Sequence, residues 1–303
     1  MNHAKPITRR VLAARLFSGA VGLSAAAALR AEEKPTRYRG VSCQTYVFSQ
    51  VLPQQGKQLA DSLDLVFGDI HAAGYEGVET MAEFLGNPAL AELLAKHSLK
   101  LSGIYSGGVF HEKEEGKRTV AGLAELGPRL KKHGGDVLIV NPNPIGREKT
   151  DAELETQAAM LNELGRALRD SSVRLNVHTH APEMRRNGRE FCFNLDHSDP
   201  ALVWLNADIN WIYRGGGDPY ELLTRYVGRV GSCHLRNSVN GVWSEDFGVG
   251  DIDYRKVAKI FEALKSPIWL AVELAYEQKT PHKRSLAEDV AVSRRYVKDV
   301  FGV

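Results

Sequence analysis

The segment Val203-Trp-Leu-Asn-Ala-Asp208 is a short apolar run that ends in a carboxylate, and similar runs lie on both sides of it. One run ends at His178 before it, and two others end at His234 and Glu273 after it. Neighbouring runs are about 25 to 40 residues apart, the length of one strand followed by one helix. Side chains at the ends of successive parallel strands meet at one rim of a barrel. The spacing therefore predicts that His178, Asp208, His234 and Glu273 form one site.

Eight apolar runs of this kind alternate with longer amphipathic segments along the chain. Strands are predicted over residues 38–46, 76–80, 99–105, 136–141, 173–178, 203–208, 230–234 and 268–273. Helices are predicted over residues 59–73, 89–97, 118–133, 151–170, 219–227, 254–264 and 286–300. Thr150 and Glu153 have the spacing of a capping box at the start of the fourth helix. Residues 181–200 are polar and interrupt the pattern, so we expect a loop there with at most a short helix.

This alternation is typical of the α/β class and predicts a (β/α)8 barrel, a TIM barrel, as a single domain over residues 38–303. The alternative is an open, doubly wound sheet. No Gly-rich phosphate loop follows the first strand, which disfavours that alternative.

Residues 1–31 have the composition of an export signal. Paired Arg9 and Arg10 precede an apolar run from Leu16 to Leu29, and a small residue, Ala31, ends the segment. The arginine pair is typical of a twin-arginine signal, so we expect a periplasmic or otherwise exported protein. A retained membrane anchor is the alternative, but the apolar run is shorter than the roughly 18 to 20 residues that span a bilayer. We therefore expect no stable membrane insertion after cleavage.

The net positive charge of the chain comes from the predicted export signal. The chain of 303 residues has a net charge of +2, with 39 basic and 37 acidic residues. Residues 1–31 contain five basic residues and no acidic one, so the remainder has 34 basic and 37 acidic residues, a net charge of −3. This balance gives no electrostatic signal for nucleic acid as a partner.

Imidazoles and carboxylates at the four strand ends are the ligands that divalent first-row metals prefer. A single Asp or His at a strand end is often only a helix cap, but four at successive strand ends favour a site. His178 and His180 are two residues apart and project to the same side of an extended strand. One of them is therefore available to a metal while the other contacts substrate.

The motifs resemble those of the xylose isomerase-like barrel family of sugar isomerases and epimerases. Gly40-Val-Ser-Cys-Gln-Thr-Tyr46 and Gly74-Tyr-Glu-Gly-Val-Glu79 are similar to the family's first two strands. His178-Thr-His180-Ala-Pro-Glu183 is similar to its fifth strand. His234-Leu-Arg-Asn237, followed by Gly248-Val-Gly-Asp-Ile-Asp253, is similar to its seventh-strand His-x-Lys-Asp and Gly-x-Gly-x-x-Asp.

The resemblance implies one divalent metal ion (Mn, Co, Zn, Fe or Mg) bound by His178, Asp208, His234 and Glu273. Two departures matter. Many epimerases of this family have Glu at the position of His178, and two metal-bound glutamates there exchange protons on opposite faces of the substrate. Asn237 also stands where Asp is common, so any role of that acid is lost.

A metal ion that polarises a carbonyl oxygen requires a base for the neighbouring carbon-bound proton. Glu273 is the predicted base, with His180 or Glu183 acting on the other side. The predicted substrate-binding residues end strands or follow them, and Trp211 has an indole that is able to stack on a sugar ring. They are Tyr46, Glu79, Trp211, Arg236, Asn237 and Glu245.

Three functions agree with these residues. The family default is metal-dependent isomerisation or epimerisation of a non-phosphorylated sugar or keto-sugar through an enediolate. A lyase or dehydratase acting on a keto-sugar or keto-inositol uses the same enolate, and the departure at His178 keeps it open. A periplasmic sugar-binding protein would need no metal. A three-metal apurinic-site endonuclease shares the fold, but the predicted export and the balanced charge disfavour it.

The export signal is testable in the precursor. Replacing both Arg9 and Arg10 with Lys should leave the precursor in the cytoplasm, because the twin-arginine route depends on the paired guanidinium groups. Immunoblots of periplasmic and cytoplasmic fractions would measure this, and normal export of the double variant would exclude the twin-arginine route.

Overall fold

The computed structural model describes Met1 and residues 36–303. Eight parallel strands form a closed barrel in which each strand pairs with its neighbours in the sequence and the last pairs with the first. They are β1 (Tyr38–Gln44), β2 (Gly77–Met81), β3 (Lys100–Gly108), β4 (Val137–Pro142), β5 (Arg174–Val177), β6 (Val203–Asp208), β7 (Val230–Leu235) and β8 (Ile268–Val272). The predicted (β/α)8 fold is therefore confirmed.

The strands form where the sequence has short, apolar, largely β-branched runs. Every residue of β4, β7 and β8 is buried, which is typical of parallel strands covered on both faces. A short antiparallel ribbon of Ser238–Val239 and Val242–Trp243 follows β7 and lies outside the barrel sheet.

Helices lie between the strands, and additional short ones follow the strands on the carboxyl-end side. They are α1 (Tyr46–Val51), α2 (Leu63–Ala72), α3 (Leu90–Lys96), α4 (Lys113–Ala124), α5 (Leu126–Lys132), α6 (Asp151–Arg169), α7 (Arg185–Asp196), α8 (Ile209–Arg214), α9 (Pro219–Tyr226), α10 (Tyr254–Ile260) and α11 (Leu286–Phe301). The single helix predicted over residues 118–133 is two helices, α4 and α5. Pro128 lacks the N–H that a continuous helix would need there.

The capping box at α6 forms as predicted. Glu153 accepts a hydrogen bond from the Thr150 backbone N–H at 2.7 Å, and its own N–H donates to Thr150 Oγ1 at 3.3 Å. These bonds satisfy two N–H groups that the first turn of a helix leaves without partners.

The expectation for residues 181–200 is wrong in part, because α7 occupies more than half of them. Arg186, Asn187 and Gly188 have positive φ angles of 49°, 58° and 75°, so regular helix begins only after them. Phe191 and Leu195, four residues apart, bury one face of this helix. The polar residues around them hid this short apolar stripe in the sequence.

The predicted export signal lies, apart from Met1, outside the described residues. Among the helices of residues 36–303, none has both the length and the apolar content needed to cross a membrane.

Two helical glycines test the packing of helices on the barrel. A Cβ on Gly165 of α6 would lie 2.7 Å from Leu202 O, whereas a Cβ on Gly122 of α4 would meet nothing within 4 Å. Gly165→Ala should lower the free energy of unfolding by about 1 to 3 kcal/mol through overpacking. Gly122→Ala, the matched control, should raise it by up to about 1 kcal/mol. Urea denaturation would measure both, and equal effects of the two substitutions would contradict this packing.

Candidate metal centre

Four residues from the ends of β5 to β8 come together inside the rim of the barrel. His178, Asp208, His234 and Glu273 are all buried, and each offers one ligand atom within 4.8 Å of the others. The β6–β7 register places Asp208 directly beside His234, and β8 aligns Ala271 with the same histidine. The structure thus brings the four predicted ligand residues together.

Asp208 divides its two carboxylate oxygens between a helix and the cluster. Oδ1 accepts a hydrogen bond from the Trp211 N–H at 2.9 Å and caps α8. Oδ2 lies 3.4 Å from His178 Nε2 and also contacts the Arg236 guanidinium. Burial alone would raise the pKa of Asp208, but Arg236 and His178 lower it below its ordinary value. Asp208 is therefore ionised.

His234 lies between two carboxylates. Its Nε2 is 2.8 Å from Glu79 Oε1 in hydrogen-bond geometry. Its Nδ1 is 2.8 Å from Glu273 Oε2, yet Nδ1 makes no aligned hydrogen bond within residues 36–303. The two atoms are therefore close enough to bind one ion. Burial would lower the pKa of His234, but Glu79 and Glu273 raise it well above its usual range, so this position favours positive charge.

Arg236 places a permanent positive charge at the edge of the cluster. Its Nη2 donates to Glu273 Oε2 at 2.6 Å and also contacts Asp208 Oδ2. The guanidinium lies 4.9 Å from the centre of the Trp243 ring and 5.5 Å from that of Trp211. Burial would raise the pKa of Glu273, but Arg236 and His234 lower it, so Glu273 is ionised.

The donor set fits a divalent metal ion. Two imidazoles and two ionised carboxylates are a set typical of zinc and other first-row divalent metals. If a metal ion binds Nδ1 of His234, Nε2 carries the proton and donates it to Glu79, the usual orienting contact of a ligand histidine. Glu79 is then a support for a ligand, and its predicted contact with substrate stays a prediction.

His180 lies next to the cluster on its outer side. Its ring packs edge-on against His178, with centroids 4.6 Å apart, and against Trp211 at 5.1 Å. Burial, followed by the neighbouring His178, lowers the pKa of His180 to about 3. The imidazole is therefore neutral at physiological pH and available for a hydrogen bond to substrate.

Glu183 is not one of the four clustered residues. Its Oε2 accepts the His180 backbone N–H at 2.8 Å, and burial raises its pKa to about 7. Nearby, the buried Lys149 ammonium donates to Glu190 at 2.5 Å. These contacts favour a positioning role for Glu183 behind His180, and its role as a base stays a prediction.

The remaining predicted substrate residues separate into two groups. Trp211 and Tyr46 are partly exposed on the rim, as a substrate contact requires. Asn237 instead anchors a loop by donating to Gly248 O at 2.8 Å and Ile252 O at 3.0 Å. Glu245 accepts the Lys283 N–H at 2.6 Å. The last two use their side chains inside the protein, which favours structural roles for them.

Two residues at this site were not predicted from the sequence. Tyr105 on β3 packs edge-on against His178 with ring centroids 5.4 Å apart. Asn141 on β4 places its Oδ1 3.4 Å from His178 Nδ1. Both follow from the barrel's closure. The only sequence signal was that Tyr105 ends one predicted strand and Asn141 the next.

A family model described as the xylose isomerase-like TIM barrel matches residues 67–296. The inosose dehydratase of Clostridium tetani is 25% identical over 177 residues, which cover 52% of this chain and 58% of the relative. The inosose dehydratase of Bacillus velezensis is 22% identical over 268 residues, 78% of this chain and 88% of the relative.

Two solved structures share the fold. An L-ribulose 3-epimerase is 15% identical with a TM-score of 0.68, over 87% of this chain and 94% of that chain. The IolI protein with a bound zinc atom is 16% identical with a TM-score of 0.65, over 87% of this chain and 98% of that chain.

The Glu79–His234 contact makes a testable prediction. Glu79→Gln should weaken metal binding by about 10- to 100-fold, the range typical of removing a carboxylate that orients a ligand histidine. Glu76→Gln is the matched control, because Glu76 is also at β2 but its side chain is 49% exposed. Competition with a metallochromic chelator would measure both affinities, and equal affinities would contradict the supporting role of Glu79.

Proposed function

This chain belongs to the xylose isomerase-like TIM barrel family, and from that premise we propose that it is a metal-dependent lyase. The proposed reaction removes a carbon-bound proton from a non-phosphorylated keto-sugar or keto-polyol and then eliminates water. The names of the two curated relatives, both inosose dehydratases, support this reaction class and suggest a keto-inositol as the first substrate to test.

The observation that carries the proposal is the asymmetry of the four ligand residues. Asp208 is engaged by the α8 cap on one oxygen and by Arg236 on the other. His178 occupies the position where many epimerases of the family have a second glutamate. Glu273 is therefore the one carboxylate of the cluster that offers a base to substrate. A single base on one face suits elimination. Epimerisation by two carboxylates on opposite faces would need a second glutamate, which this chain lacks at position 178.

His178, Asp208, His234 and Glu273 would hold the metal ion, and the bound zinc in the IolI protein supports a divalent metal in this fold. When bound, the ion supplies Lewis acidity to a substrate carbonyl oxygen.

The protein's own residues would perform the proton transfers. Arg236 keeps Glu273 ionised through the contact at Oε2, which leaves Oε1 for the proton on the carbon next to the carbonyl. The C–H electron pair forms the enolate double bond and then expels the hydroxyl on the next carbon. That hydroxyl leaves as water with the proton that Glu273 accepted. Trp211 and Trp243 form an apolar wall for the ring of the substrate.

Aldose–ketose isomerisation is the second candidate. The neutral His180 imidazole beside His178 is placed to relay a proton between neighbouring substrate oxygens, a step that isomerisation requires and elimination does not. The L-ribulose 3-epimerase fold neighbour agrees with this class of substrate.

Glu273→Gln tests the base directly. The variant keeps an oxygen ligand but lacks the basic carboxylate, so turnover should fall by about 10² to 10⁴-fold while metal content falls only in part. Metal-loaded wild type, Glu273→Gln and the exposed control Glu92→Gln would be incubated in D2O with 2-keto-myo-inositol and a panel of free ketoses.

Mass spectrometry separates the outcomes of this experiment. Loss of one water from the substrate supports the lyase, and deuterium uptake without loss of water supports the isomerase. Purified protein without bound metal and without either product would favour a sugar-binding protein. Unchanged deuterium uptake by Glu273→Gln would place the base elsewhere, with Glu183 the next residue to test.

A further inference from the structure

We propose that Tyr105 is a substrate-binding residue whose hydroxyl donates a hydrogen bond to an oxygen of the keto-polyol on the β3 side of the site. The identity of the ligand in this assignment rests on the proposed function. The placement of Tyr105 itself rests on the barrel geometry.

Tyr105 lies one side chain away from the ligand cluster. It pairs in register with Met81 of β2 and Ile139 of β4. Its ring meets His178 edge-on at 88°, and His178 Nε2 is in turn 3.4 Å from Asp208. The phenol therefore borders the space in which a substrate bound at the metal centre would lie.

The Tyr105 hydroxyl differs from the hydroxyls of other buried tyrosines. Tyr75, Tyr226, Tyr254 and Tyr276 donate their hydroxyl protons to protein oxygens at 2.6 to 3.0 Å. Within residues 36–303 the Tyr105 hydroxyl makes no such bond. Its oxygen is also not closed off from solvent. A largely buried phenol with an accessible and unpaired hydroxyl is suited to a ligand that completes the hydrogen bond.

Tyr105 carries its proton at physiological pH, because the ordinary pKa of a phenol is about 10. Its hydroxyl therefore acts as a hydrogen-bond donor.

Tyr105 also completes the enclosure of the substrate. In a ring of eight strands β3 is opposite β7, and β7 is followed directly by Arg236. Trp211 lies beside Arg236 on the same side. A polyol ring placed over the metal centre would then have the indole and the guanidinium on one side and the Tyr105 hydroxyl on the other. This fixes which oxygen faces β3 and thereby which face of the carbon meets Glu273.

Tyr105→Phe tests the assignment in the metal-loaded protein. Calorimetric titration with 2-keto-myo-inositol should give an affinity about five- to tenfold weaker than wild type, as expected for one lost hydrogen bond. Metal content should not change. Tyr38→Phe is the matched control, because Tyr38 of β1 packs against Phe301 and its hydroxyl also makes no hydrogen bond to the described residues. It should bind as wild type does.

A series of mono-deoxy keto-inositols identifies the oxygen. The deoxy compound that lacks the partner of Tyr105 should bind wild type and Tyr105→Phe equally. Equal affinities of the two proteins for every compound would overturn the assignment. Loss of metal from Tyr105→Phe would overturn it too, because the hydroxyl would then support the metal centre. Binding without turnover by wild type contradicts the proposed function alone, because the comparison of affinities still decides the role of Tyr105. If wild type binds none of the compounds, the result contradicts both the proposed substrate class and the assignment of Tyr105.

Discussion

The burial of Asp208, Glu273 and Glu79 at one end of an apolar barrel is the constraint on which the site depends. An ion removed from water costs several kcal/mol even after the protein relaxes, unless opposite charge and hydrogen bonds offset that cost. Arg236 supplies one charge and contacts two of the carboxylates. His234 lies between Glu79 and Glu273, and its position favours a second positive charge. The carboxylates thus specify cations, and a divalent metal ion meets that requirement with the ligand atoms already in place.

Each charged contact also positions a loop that the chemistry would use. Asp208 begins α8 through its cap, and this sets Trp211 against His180. Arg214 of α8 pairs with Glu277 at 3.1 Å, and Glu277 accepts the Trp243 N–H at 2.8 Å. The indole wall is therefore tied to the loops after β6, β7 and β8 at once. Movement of any one of these loops would change both the wall and the carboxylates beneath it.

The strands and the four clustered residues were predictable because both follow from local pattern and period. A β-branched apolar run specifies a strand, and the barrel rule then gathers polar residues at strand ends. The residues that contact the ligand histidines could not be predicted from local pattern. Glu79 contacts His234 across 155 positions of sequence, and nothing local separates an orienting carboxylate from one that binds substrate. Tyr105 is one of ten tyrosines, and only the closure of the barrel places it on His178. In α7, three left-handed residues precede a short buried stripe, which no periodicity reveals.

A histidine in place of glutamate at position 178 also changes the net charge of the ligand set. With a divalent ion bound, two neutral imidazoles and two carboxylates would balance its charge, whereas a third carboxylate would leave the complex anionic. The neutral complex would supply stronger Lewis acidity to a carbonyl oxygen, and a weaker base would then suffice. Imidazole ligands also favour zinc, iron or cobalt over magnesium, which prefers oxygen ligands. We infer that the substitution shifts the work of activation from a pair of bases toward the metal ion and Glu273. That division is what a directional elimination requires, because the proton leaves from one face and need not return to the other.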